Sequence, residues 1–145
     1  MKQSGFTLLE ILVAMLVMAI GLLGLAGLMT SSMRDNLSAS HRTQATWMAY
    51  DILDRMRANR SSAISGDYVT TMGSAASCSA AAPTGTVPVQ DVAAWKSQLA
   101  CVLPAGNGSI AVDPNTRAAT ILIQWNDSRG NQGTANQTFK VETQL

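Results

Sequence analysis

The sequence predicts an α+β fold in which one long N-terminal helix packs on a small antiparallel sheet of three to four strands, with a short extra helix. Three observations predict it. An apolar run fills residues 6–29, and apolar residues then recur at helical spacing to about residue 59. After residue 107 three segments alternate between apolar and polar residues, as strands with one buried face do.

The apolar run is long enough to cross a membrane as a helix. Thirteen of residues 6–29 are Leu, Ile, Val or Phe. Together they favour insertion by about 4–8 kcal/mol, against at most about 3 kcal/mol for the one acidic residue, Glu10. Insertion is therefore expected even with Glu10 charged. Lys2 lies just before the run, whereas the next basic residue, Arg34, lies beyond it and is followed by Asp35. The positive-inside rule then places the amino end in the cytoplasm.

A five-residue polar leader, MKQSG, stands before the run. A secretory signal peptide is the alternative for this terminus, but its apolar core is shorter and no A-x-A-like cleavage site follows Met29 cleanly. Gly5 followed by Phe6, with Glu10 four residues further on, resembles the type IV prepilin signal. The resemblance covers MKQSGFTLLEILVAMLVMAIGLLGLAGL, and it implies a type IV pilin-like fold.

The resemblance also implies roles for three residues. A prepilin peptidase is expected to cleave after Gly5 on the cytoplasmic side, Phe6 to become the N-methylated first residue, and the apolar stretch to stay as an anchor. Cleavage would create an amine on Phe6 one helical turn from Glu10, about 6 Å along the axis. The two charges could pair within one chain or between parallel neighbours. Pairing between neighbours would set their axial register, because an unpaired buried charge is costly.

This interpretation divides the chain into four regions. Residues 1–5 form the prepilin leader and residues 6–29 the transmembrane helix. Residues 30–60 continue that helix as an amphipathic segment, and residues 61–145 form a periplasmic globular head.

The amphipathic half carries one apolar stripe, formed by Ala45, Met48, Ala49, Ile52, Leu53 and Met56. The sheet is expected to cover this stripe, which gives both elements a shared core. Three glycines, Gly21, Gly24 and Gly27, each weaken the helix by up to about 1 kcal/mol relative to alanine. They indicate either close helix packing or a segment that loosens on assembly.

In the head, the small and polar residues between Asn59 and Pro88 are typical of a loop. A short helix follows, with Asp91 as a candidate N-cap and Pro104 with Gly106 closing its end. One face of that helix carries Val92, Trp95, Leu99 and Val102. Strand positions predicted to face one side are Ile110 and Val112, then Ala119, Ile121, Ile123 and Trp125, then Phe139, Val141 and Thr143.

Two cysteines, Cys78 and Cys101, fall in the part assigned to the periplasm, where an oxidising environment favours a disulfide. Such a bond would tie the loop to the short helix and contribute about 3 kcal/mol by the loop-entropy argument. The alternatives are a buried free pair or metal ligation. Zinc would need more ligands than two cysteines and the lone His41 supply, and His41 is expected to be a solvated helix residue.

Neither catalysis nor nucleic-acid binding finds support in the sequence. The net charge is +1, so no nucleic acid is expected as a partner. With one histidine, no G-x-S-x-G motif and no phosphate loop, the chain is predicted not to be an enzyme, and no cofactor or metal is expected. Asp113 with Asn115, and residues 126–131, fall short of the calcium-loop pattern and indicate turns.

Within the wider family, the segments IGLLGLAGL, LDRMRANR, AWKSQLACVLP and ILIQWND are similar to those of PilV-type minor pilins. That resemblance implies a structural subunit that starts or joins a pilus filament. Its expected partners are prepilin peptidase, other minor pilins, the major pilin, the pilus assembly platform and inner-membrane lipid. It would reside in the inner membrane and then in the filament or at its tip. The alternatives are a pseudopilin of a type II secretion system and an unrelated anchored periplasmic enzyme or binding module.

Overall fold

A computed structural model describes residues 5–73, 77–79 and 83–145. The elements along the chain are α1 (Leu8–Ala58), α2 (Arg60–Ile64), α3 (Val87–Val102), β1 (Asn107–Asp113), β2 (Ala118–Trp125) and β3 (Gln137–Gln144). A long N-terminal helix thus packs on a three-stranded antiparallel sheet with a shorter helix beside it. The predicted α+β, type IV pilin-like fold is confirmed.

Helix α1 is continuous over 51 residues, about 77 Å at 1.5 Å per residue. Its buried positions all lie in the second half and belong to the predicted stripe: Ala45, Ala49, Ile52, Leu53 and Met56 are fully buried, and Met48 is partly buried. The head therefore covers only the C-terminal half of α1, and the apolar N-terminal half extends beyond it.

The sheet has the order β1-β2-β3 with antiparallel neighbours. Burial alternates along β2, where Ala119, Ile121, Ile123 and Trp125 face the core as predicted. Ile110 of β1 is also buried, whereas the inward positions of the edge strand β3 are only half-buried. The turns predicted at Asp113 with Asn115 and at residues 126–131 are both observed. In the first, Asp113 accepts hydrogen bonds from the Asn115 N–H and the Thr116 hydroxyl.

Helix α3 begins four residues before the predicted cap. Its N-cap is Thr86, and Pro88 lies in the first turn, where a proline costs no intrahelical hydrogen bond. The prediction of Asp91 as N-cap is therefore wrong, because Asp91 lies inside the helix. Trp95 and Leu99 are buried as predicted, but Val102 is exposed and Leu103, just past the helix end, is buried in its place.

The prediction of a loop between Asn59 and Pro88 is wrong for the first part of that segment. It begins with the five-residue helix α2, and Tyr68 after it is fully buried. Thr70 then pairs with Ile110 on the outer side of β1, through backbone hydrogen bonds of 3.0 and 2.9 Å. The composition gave no sign of this structure because the segment has few apolar residues, and of its described residues only Ala63 and Tyr68 belong to the core.

Candidate functional site

The N-terminal end of α1 is closed by a side-chain cap. Thr7 is the N-cap residue, and its Oγ1 accepts a hydrogen bond from the Glu10 backbone N–H at 3.4 Å. The Thr7 carbonyl accepts further bonds from the N–H groups of Glu10 and Ile11. Sequence reasoning missed Thr7, although a threonine followed three residues later by a glutamate is the capping-box signal.

The predicted processing residues lie just outside the helix. Gly5 and Phe6 precede α1 and are exposed, Phe6 to 81%. Phe6 and Glu10 line one shallow depression of about 510 Å³ on the helix surface, together with Ile11, Ala14, Met15 and Met18. Within the described part of the chain the Glu10 carboxylate forms no ion pair. The Glu10 side chain thus lies among apolar side chains, beside Phe6. The leader residues 1–4 lie outside the described residues.

The surface around this acid is apolar and uncovered by the head. Among the described residues, α1 is the one helix long and apolar enough to cross a membrane, and none of its most apolar 18-residue window is buried. The three glycines of this half have no heavy atom within 4 Å of a Cβ built on them, so the chain itself leaves the space beside them empty. An apolar face of this size in a water-soluble monomer would be unusual.

The first 26 residues match the family model described as the prokaryotic N-terminal methylation motif. This motif indicates a type IV pilin-like or pseudopilin-like protein. No curated protein and no solved structure matches the chain. The matched residues include Gly5, Phe6 and Glu10.

In this pilin-like chain, the loop between β2 and β3 contacts the start of the amphipathic half of α1. Asn131 donates from Nδ2 to the Ser31 hydroxyl at 2.7 Å, to the Ser31 carbonyl at 3.2 Å and to Asp35 Oδ1 at 3.0 Å. Gly130 lies so close to the helix that a Cβ there would be 3.3 Å from the Ser38 Cβ. The head therefore contacts α1 immediately after the apolar run.

One turn further along, the same loop buries an acid against the helix. Asp127 is only 3% exposed, and its Oδ2 accepts a hydrogen bond from the Ser38 hydroxyl at 2.5 Å. The His41 Nδ1 lies 3.7 Å from the other carboxylate oxygen, with the His41 side chain 12% exposed. The prediction of a solvated His41 is wrong, because the β2–β3 loop covers it. The position of His41 on the helix could not show that a loop 86 residues later in the chain would cover it.

On the opposite side, α3 is held to α1 by polar contacts. The buried Trp95 donates from Nε1 to the Met48 carbonyl at 2.9 Å. Asp91 accepts from Arg55 Nη1 at 3.1 Å and from the Tyr68 hydroxyl at 2.8 Å. Burial raises the pKa of Tyr68 above its usual 10.0, and the hydrogen bond to Asp91 raises it further. Helix α1, the segment around Tyr68 and helix α3 thus meet at the Asp91 carboxylate.

The structure contains a disulfide between Cys78 and Cys101, as the sequence predicted. It joins the segment before α3 to the last turn of α3. Ser97, one turn earlier, also bonds this segment, accepting from the Ser79 N–H at 3.0 Å and donating to the Ser79 carbonyl at 2.9 Å. In the described ranges, no group of three or more His, Cys, Asp or Glu side chains could hold a metal ion.

Proposed function

We propose that the chain is a minor pilin, a non-enzymatic structural subunit that helps to initiate or join a type IV pilus filament. Prepilin peptidase would remove residues 1–5, and residues 6–29 would hold the protein in the inner membrane with the head, residues 61–145, in the periplasm. The observation that carries the proposal is Glu10, an acid on an apolar, uncovered helix that matches the methylation motif. The two head segments that are similar to PilV-type minor pilins, AWKSQLACVLP and ILIQWND, favour a minor pilin over a pseudopilin.

The position of the Gly5–Phe6 bond supports processing. Both residues are exposed and precede the N-cap Thr7, so a peptidase can reach this peptide bond without unwinding α1. Cleavage leaves the new amine of Phe6 one residue before the cap, and methylation keeps its positive charge. That amine is then positioned beside the depression that Phe6 shares with Glu10.

Charge pairing gives Glu10 its role in assembly. A lone carboxylate in hydrocarbon is penalised by about 3 kcal/mol, and an amine brought alongside offsets this cost. In a bundle of parallel pilin-like helices, the Phe6 amine of one subunit can meet the Glu10 of the next. A slipped arrangement leaves both charges unpaired, so the pair selects one axial register.

Intact-mass and N-terminal analysis of the protein from its native membrane tests processing. The proposal expects Phe6 as the first residue, carrying one methyl group. A mature protein that still begins at Met1 would contradict it, since the amine would then be absent from the position where Glu10 requires it.

The assembly role is tested separately with Glu10→Ala, using Glu142→Ala on the exposed face of β3 as the matched control. Glu10→Ala should leave membrane insertion and cleavage intact but remove the protein from sheared filaments, whereas Glu142→Ala should be incorporated normally. Normal incorporation of Glu10→Ala would overturn the role of the carboxylate.

Deletion of the gene distinguishes the two kinds of subunit. Loss of surface pili with secretion unchanged supports the minor pilin. Loss of protein secretion with pili unchanged would instead identify a pseudopilin of a type II secretion system, which shares the same N-terminal chemistry.

A further inference from the structure

The β2–β3 loop lies where the membrane surface is expected. Through Asn131 it is bonded to Ser31, two residues after the end of the apolar run at Met29, and to Asp35. A bilayer adds about 5–7 Å of headgroup layer to each side of its hydrocarbon core. At 1.5 Å per residue, Arg34 lies about 7.5 Å beyond Met29 along α1. With residues 6–29 in the hydrocarbon core, the loop and Arg34 would therefore lie at the level of the lipid phosphates.

Two cations line one depression at this level. Arg34 of α1 and Arg129 of the loop line one surface depression of about 510 Å³, together with Leu37, Ser128, Gly130 and Asn131. Both arginines are exposed, and within the described residues neither forms an ion pair. Of the nearby acids, Asp35 accepts a hydrogen bond from Asn131 and Asp127 accepts one from Ser38, and neither is paired with an arginine in the part of the chain that the structure describes.

The two guanidinium groups suit a phosphate. A guanidinium presents a planar fork of N–H donors that matches phosphate oxygens, and basic residues next to a transmembrane helix attract anionic lipids. A phosphate between Arg34 and Arg129 would be held from two elements at once. The arrangement depends on the tertiary structure, because 95 residues separate the two arginines in the sequence.

We propose that Arg34 and Arg129 form a binding site for the phosphate of an anionic phospholipid headgroup, which fixes the head against the bilayer surface. The site rests on the proposed insertion of residues 6–29 in the membrane. It would hold the subunit at a defined height and orientation before it leaves the membrane for a filament.

The test uses the full-length protein in nanodiscs of mixed phosphatidylcholine and phosphatidylglycerol, with lipid retained after mild detergent extraction measured by native mass spectrometry. Arg34→Gln and Arg129→Gln should each reduce the preference for phosphatidylglycerol about fivefold, as expected for one basic residue at a membrane surface. Arg117→Gln is the matched control, because Arg117 precedes β2 at the end of the sheet opposite the loop. It should leave the preference unchanged.

Three outcomes would overturn the site. One is a double variant, Arg34→Gln with Arg129→Gln, that keeps the wild-type preference; another is a loss equally large in the Arg117→Gln control. Displacement of the lipid by inorganic phosphate at equal concentration would show a site for free phosphate instead. Failure of membrane insertion is distinguishable, because the protein would then not enter nanodiscs at all, whereas the arginine variants should still insert through residues 6–29.

Discussion

The contact between Gly108 and Trp95 gives the sharpest prediction about the head. A Cβ built at Gly108 overlaps Cη2 of Trp95 and lies 2.9 Å from Cδ1 of Leu99, both fully buried. Gly108 has no positive φ, so alanine at this position is opposed by packing alone. Trp95 can yield only by moving its ring, and that ring also donates to the Met48 carbonyl.

The expected cost follows from these two effects. Overpacking a dense core costs about 1–3 kcal/mol, and losing the indole hydrogen bond adds about 1 kcal/mol. Gly108→Ala should therefore destabilise the head by about 2–4 kcal/mol and lower its Tm by at least about 8 °C. The assay is thermal unfolding of the full-length protein in nanodiscs, followed by intrinsic tryptophan fluorescence. Gly27→Ala, where a Cβ meets no heavy atom within 4 Å, should leave this transition unchanged.

A double-mutant cycle isolates the overlap. Trp95→Phe removes the ring atoms that the new methyl group of Gly108→Ala would strike, so Gly108→Ala should cost little more in the Trp95→Phe background than Trp95→Phe costs alone. If the double variant instead loses as much unfolding free energy as the two single variants together, the overlap with Trp95 is not the cause. A neutral Gly108→Ala would also refute the reasoning.

Three further predictions concern the same head. Because the folded-state pKa of Tyr68 lies above its unfolded value of 10.0, the stability that Tyr68 contributes should be complete below about pH 10 and be lost as the pH rises above it. Tyr68→Phe should remove this alkaline loss relative to wild type and, through the lost bond to Asp91, cost about 1.5–3 kcal/mol at neutral pH, measured by denaturant titration. Replacing Cys78 and Cys101 by serine should lower the unfolding free energy by about 3 kcal/mol, and reduction of the wild-type protein should give the same Tm as the double variant. Ile121→Ala, at a fully buried position of the central strand, should cost about 2–5 kcal/mol by the same fluorescence assay, and a loss below about 1 kcal/mol would contradict its place in the core.

Much of the architecture could be predicted because it follows from the regular spacing of apolar residues along the chain. The spacing from Ala45 to Met56 locates the buried face of α1, and alternation along β2 locates its inward positions, both as observed. Where periodicity was weak, prediction failed. Tyr68 lies in a segment poor in apolar residues. Its hydroxyl donates to Asp91 of α3, and Thr70 beside it pairs with Ile110 of β1, so its surroundings come from distant parts of the chain.

In the candidate site, too, residues close together in the sequence could be predicted and contacts between distant residues could not. Glu10 and Phe6 could be identified from the sequence because they are only four residues apart in the chain, and both lie within the match to the methylation motif. Asp91 was predicted to be a helix cap because capping is the common local use of an aspartate. The structure makes it the shared partner of Arg55 and Tyr68, which are 36 and 23 residues away.

By itself the sequence determined the long helix, its uncovered apolar half with one acid, the strands and the cysteine pair, since each depends on neighbours along the chain or on the chemistry of one residue type. Only the tertiary structure decided that the β2–β3 loop returns to α1, covers His41 and brings Arg129 to Arg34. Such contacts join residues nearly a hundred positions apart. Their geometry depends on how the sheet sits on the helix, and no local pattern encodes that.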